Sequence, residues 1–160
     1  MSAEKRLEQL GIQLPDFGRE NKYDGQNYGR MKPYHIVGKT LTLSGQIPQI
    51  NSEVIYPGRL GDTVTVEQGY QAARITGINC LAGIKQALGS LDRVKGVIRM
   101  LHFVVSSPTF YDVHKVSSGV SDLFYEVYGE KVGIGCRATI GVMTLARNNC
   151  FETWSDFEIK

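Results

Sequence analysis

The sequence predicts an α+β domain, with one mixed β-sheet carrying two long helices on one face. Two apolar stripes at helical spacing and several extended apolar runs predict it. The first stripe is Tyr70, Ala73, Gly77, Leu81, Ile84 and Leu88; the second is Val113, Val116, Val120, Leu123, Phe124 and Val127. Each marks a helix that buries one side. The extended runs are 34–37, 40–44, 93–105, 136–145 and 150–159, rich in Val, Ile, Leu, Thr and Phe. Strands that alternate with helices in this way pack as two layers.

The chain opens with a short helix over 2–10. Ser2 is its cap, Leu7 and Leu10 lie three apart, and Gly11 and Pro15 end it. Residues 15–33 are polar, interrupted by Gly18, Gly25, Gly29 and Pro33, and read as an irregular wrap. We therefore divide the chain into 1–33, a helix and a wrap, and 34–160, the α+β domain. Tyr34–Val37 and Thr40–Ser44 form a hairpin around Gly38-Lys39. Gly45-Gln46-Ile47-Pro48 breaks the second strand, and Glu53–Tyr56 is a short strand. Asp62 or Thr65 caps a helix over 66–88, which Gly89 stops. After the strand over 93–105, Ser107 and Pro108 supply a cap and a first-turn proline for the second long helix, ended by Gly129. Cys136–Leu145 and Cys150–Ile159 then read as a hairpin of strands turning at Ala146–Asn149.

Composition excludes several classes. Of 160 residues, 42% are hydrophobic and 21% charged, so the chain is neither disordered nor fibrous. A net charge of +2, with no element interleaving basic and aromatic residues, argues against a nucleic-acid partner. Arg93, Lys95 and Arg99 read as a solvated strand end. No apolar run reaches the length of a membrane span, and the charged start lacks the apolar centre of a secretory signal. The three cysteines, Cys80, Cys136 and Cys150, have no metal or disulfide spacing, which fits a reducing, cytoplasmic setting. His35, His102 and His114 fall on separate elements, so no metal and no cofactor is expected. The G-x-S-x-G pattern of a hydrolase elbow is absent, and Gly133-Ile134-Gly135 precedes a strand rather than a helix.

The last two strands draw attention. Residues 136–145 are apolar on both faces, which calls for a cover on the second face and points to a homo-oligomer. Closing the expected hairpin with Leu145 opposite Cys150 places Arg137 opposite Glu158 and Met143 opposite Glu152. Arg137 and Glu152 then share a face of the sheet. They lie roughly 20 Å apart at ~3.3 Å per residue, so they meet only if a neighbouring subunit packs on that face. An arginine there suits a small carboxylate, and a glutamate suits a water. A structural salt bridge at an interface, or two unrelated exposed charges, fits the same spacing.

With Ser44-Gly45-Gln46-Ile47-Pro48, Thr65-Val66-Glu67-Gln68-Gly69 continuing through Ala73-Arg74 and Asn79, Phe103-Val104, and Arg137 followed fifteen residues later by Glu152, the chain resembles the YjgF/RidA (endoribonuclease L-PSP-like) family over about residues 34–158. The resemblance implies a chorismate-mutase-like α+β fold and a homotrimer with a barrel-like core and three inter-subunit clefts. It also implies hydrolysis of enamines and imines such as 2-aminoacrylate to 2-keto acids and ammonia. In that scheme Arg137 binds the substrate carboxylate and Glu152 orients water. Gly45 and Thr139 give backbone contacts, Ser44 a hydroxyl, and Tyr34 an aromatic wall. Non-catalytic binding of small carboxylates in the same cleft, and the ribonuclease activity of the family's older name, are the alternatives. The sequence departs from the deaminase pattern at Pro108, where an asparagine is usual, at Ala146, where a proline is usual, and in its longer N-terminal region.

Overall fold

A computed structural model describes residues 1–18 and 30–160. Most of the expected wrap over 15–33 therefore lies outside the described residues. The elements are α1 (Ala3–Gln9), β1 (Tyr34–Val37), β2 (Thr40–Gln46), β3 (Gln49–Ile50), β4 (Glu53–Val54), α2 (Val66–Leu88), β5 (Val94–Val105), α3 (Val113–Tyr128), α4 (Glu130–Gly133), β6 (Cys136–Val142) and β7 (Phe151–Ile159).

Helix α2 forms where its sequence says it should. Thr65 accepts from the Gln68 N–H while the Gln68 side chain accepts from the Thr65 N–H, a complete capping box. Gly89 closes the helix at φ 76°, a left-handed conformation that favours glycine. Ser2 caps α1 by accepting from the Lys5 N–H alone. Ala3 and Leu7 of α1 enter the common core. Glu4 accepts from the Leu91 N–H at 2.9 Å and from Lys85 Nζ at 2.7 Å. Helix α3 departs from expectation. It begins at Val113 rather than at Pro108, because Phe110 N–H bonds back to the Ser107 carbonyl and turns the chain first.

The sheet runs in the order β1-β2-β7-β5-β6. Strand β7 lies between β2 and β5 and is antiparallel to both, whereas β6 is parallel to β5. The expected β6–β7 hairpin is therefore absent. Helix α3 acts as a crossover that returns the chain along β5 in the same direction, and the segment after β6 then carries β7 to the far side of β5. Arg59 anchors that segment by donating to the Ser106 and Met143 carbonyls at 2.8 Å each. Burial follows the corrected order. Along β7 alternate residues from Phe151 to Ile159 are buried, as befits a central strand. Strand β6 is largely exposed, as befits an edge.

Helices α2 and α3 cover one face of the sheet, over a core that includes Leu81, Ile84, Met100, Val104, Leu123, Phe124 and Phe157. The two helices come close because Gly119 of α3 faces α2. A Cβ there would meet the Tyr70 carbonyl oxygen and lie 2.9 Å from the Arg74 nitrogen, neither of which is a flexible side-chain end. Gly119→Ala is expected to cost about 2 kcal/mol of folding stability in urea titration, although alanine is the better helix former. The opposite face of the sheet carries Leu101, Phe103 and Trp154, and exposes Ile98 by 42%, Ile140 by 46% and Trp154 by 52%.

Candidate functional site

The corrected sheet order relocates the two charged residues. Arg137 is aligned with Met100 on β5, whose side chain is buried beneath the helices. Glu152 is aligned with Phe103, on the uncovered face. Aligned residues share a face, so Arg137 and Glu152 point to opposite faces of the sheet, not to the same one. Two strand spacings across and three residues along separate their Cα atoms by roughly 14 Å. Each charge lies in a depression of its own.

On the helix side, Arg137 lines a depression of about 380 Å³ with Met100, Ser121, Tyr125 and Ile134. Its Nη1 donates to Ser121 Oγ at 2.9 Å and its Nη2 to the His114 carbonyl at 3.5 Å. Helix α3 thus aims the guanidinium along the sheet edge. Thr139, two residues on, shares that face, and its hydroxyl lies 2.7 Å from Ser117 Oγ. Beneath them His102 is fully buried, aligned with Thr139 on one side and Thr153 on the other. Its Nδ1 lies 2.8 Å from Thr153 Oγ1, and its ring stacks on Phe151 at 5.6 Å. Burial, aided by the Arg137 charge, pushes the imidazole down to about 4, so it is neutral at pH 7.

On the uncovered face, Glu152 lines a depression of about 450 Å³ with Met31, Ser44, Gly45, Arg99 and Trp154. Its Oε1 accepts from Trp154 Nε1 at 2.7 Å. Strand β2 is irregular between Leu43 and Gln46, which brings the Gly45 backbone against that carboxylate. A Cβ at Gly45 would collide with Glu152 Oε1 and lie 3.0 Å from Trp154 Nε1, so a side chain there would displace the carboxylate from its place. The Ser44 hydroxyl donates to the Lys32 carbonyl and holds the strand's approach in place.

Ser44, Gly45 and Glu152 are therefore brought together, as are Arg137 and Thr139, but the two sets are apart in one chain. Tyr34 joins neither depression. It pairs with Leu43 and packs against the core. Ser121, His102 and Trp154 escaped the reading of the sequence. Only Trp154 had a local signal there, since two residues from Glu152 along a strand is the same face.

Among the described residues no group of three or more His, Cys, Asp or Glu could hold a metal ion. All three cysteines are free thiols. Burial pushes Cys80 up to about 12 and Cys150 up to about 11, which silences both as nucleophiles. No described helix is long and apolar enough to cross a membrane.

Comparison with known proteins agrees with the fold. The family model described as "YjgF/chorismate_mutase-like, putative endoribonuclease" matches residues 4–151. Protein TCP17 of Trypanosoma cruzi is 38% identical over 139 residues, which is 87% of this chain and 82% of that protein. A crystal structure from Shewanella oneidensis MR-1, described as a "putative endoribonuclease", is 31% identical, with a TM-score of 0.89 over 99% of this chain and all of the other. E. coli TdcF with bound serine shares the fold at 16% identity and a TM-score of 0.63, over 93% of this chain and 100% of that one. On its sequence and on its sheet and helix arrangement, the chain belongs to the YjgF/chorismate-mutase-like family.

Proposed function

We propose that the protein is an imine/enamine deaminase that works in clefts between the protomers of a homotrimer. The observation that carries this reading is the split site. Arg137 and Glu152 each border an open depression, on opposite faces of one sheet. A copy that lays its uncovered face against the β6 edge of the next brings one guanidinium to one carboxylate. The same packing buries Ile98, Ile140 and Trp154 in a barrel-like core.

Arg137 then holds the substrate carboxylate through two parallel N–H bonds. Glu152 orients a water toward the imine carbon. The water oxygen bonds to that carbon and its protons pass to nitrogen. The C–N bond breaks, and the products are a 2-keto acid and ammonia. An imine is already electrophilic, so placement suffices without a covalent nucleophile. Gly45 and Ser44 line the Glu152 half of the cleft, Thr139 shares the face of Arg137 beside the other half, and Tyr34, packed against the core, takes no part. The exposed thiol of Cys136 suits a reducing, cytoplasmic setting.

The serine bound to TdcF favours a second reading, in which the cleft binds a small amino or keto acid without turnover. A nuclease fits less well. On the uncovered face Arg99 is paired with Asp156 at 3.0 Å and Lys95 with Glu158 at 2.8 Å, so among the described residues these two cations are already engaged rather than bare for a phosphate backbone. The test is pyruvate release from 2-aminoacrylate generated by a dehydratase. Faster release with the wild-type protein supports the deaminase. Stabilisation by pyruvate without turnover, retained in Glu152→Gln, supports the binding module.

A further inference from the structure

We propose that Trp154 is the positioning residue for Glu152, an inference that rests on the hydrolytic reading above. A glutamate on an uncovered strand face has three rotatable bonds and sweeps a wide arc unless something holds it. Here two contacts restrain it. The indole Nε1–H donates to Oε1 at 2.7 Å, and the Gly45 backbone closes in on the same oxygen. The indole is itself fixed, because its ring packs on Phe103 at 5.1 Å with the planes tilted by 60°. Phe103 is aligned with Glu152 across β5 and β7, so strand register sets all three groups.

An indole N–H only donates. It therefore occupies Oε1 as its acceptor. Among the described residues Oε2 has no hydrogen-bond partner, which leaves it for the attacking water. The tryptophan thereby selects one carboxylate rotamer and assigns its two oxygens different tasks. It acts through Glu152 and does not touch the reacting atoms.

Trp154 is the chain's sole tryptophan, so its emission reports this contact directly. Trp154→Phe keeps a ring on Phe103 and removes only the N–H. Loss of a hydrogen bond to a charged acceptor is expected to lower kcat about tenfold while KM stays within about twofold. Emission of the wild-type protein at pH 7 should differ from that of Glu152→Ala, which removes the acceptor of the indole N–H. An identical emission spectrum in the wild type and Glu152→Ala overturns the contact. A wild-type kcat in Trp154→Phe overturns the positioning role. Should the wild type bind pyruvate yet turn over no imine, the hydrolytic reading fails, and with it the positioning of Glu152 for turnover. The emission comparison then still decides whether Trp154 holds the carboxylate.

Discussion

Arg137→Ala is expected to lower kcat/KM for 2-aminoacrylate by on the order of 10²–10³-fold, and to remove pyruvate-dependent thermal stabilisation. The reasoning is geometric. The guanidinium presents a planar pair of N–H donors, and a carboxylate accepts from both at once. Arg137→Lys keeps the charge but loses the fork, so it is expected to recover only a small part of the rate. The fold should tolerate both changes. Arg137 is exposed, and among the described residues it donates to one serine hydroxyl and one helix carbonyl. Urea midpoints of the variants should stay near that of the wild type, so a lost rate reports the cleft rather than unfolding. Coupled-assay kinetics beside urea titration check both halves of the expectation.

Lowering the pH from 7 to 4 is expected to remove about 3 kcal/mol of stability through His102 alone. Burial holds this imidazole at about 4 in the folded protein, against 6.5 for the ordinary group. Above pH 6.5 it is neutral in both states and its contribution is complete. Between 6.5 and about 4 the unfolded chain takes up a proton that the folded chain refuses, so stability falls as pH falls. His102→Leu removes that slope. Glu4 loses stability in acid as well. Burial raises its carboxyl, but the hydrogen bonds from Lys85 and Leu91 outweigh this and hold it below the ordinary value. That loss is common to both proteins and cancels in the difference. Urea titrations at several pH values on wild type and His102→Leu should diverge across this window. Arg137→Ala should narrow the divergence, because the arginine charge is part of what holds the imidazole neutral.

Much of this architecture is legible in the sequence where a local rule governs it. Thr65, one of two candidate caps beside Asp62, and Gly89 announce the two ends of α2, and the apolar run after Cys150 announces β7. Strand order is less legible, because partners are chosen by crossovers rather than by nearness in the chain. Residues 136–145 and 150–159 look like a hairpin because a short turn joins them, yet α3 had already committed β6 to run parallel to β5. That single change of partner moves Arg137 to the other face from Glu152. The helix start at Val113 was missed for a related reason. Ser107-Pro108 carries a helix-start signal, but the bond from Phe110 N–H to the Ser107 carbonyl makes it a turn. Within the site, Arg137, Glu152 and Gly45 stand out through their resemblance to a family. Ser121 and His102 become visible only when the sheet stacks under α3, since no spacing along the chain links them to Arg137.

The central claim is that each cleft takes its arginine from one protomer and its glutamate from the next. Mixing Arg137→Ala and Glu152→Gln chains in equal amounts, unfolding them together and refolding them tests it most directly. Each junction then has an intact arginine facing an intact glutamate in about a quarter of cases, so about a quarter of wild-type activity should return from two inactive proteins. Activity that stays at the level of the unmixed variants, in a preparation shown to contain hybrid trimers, would contradict the account.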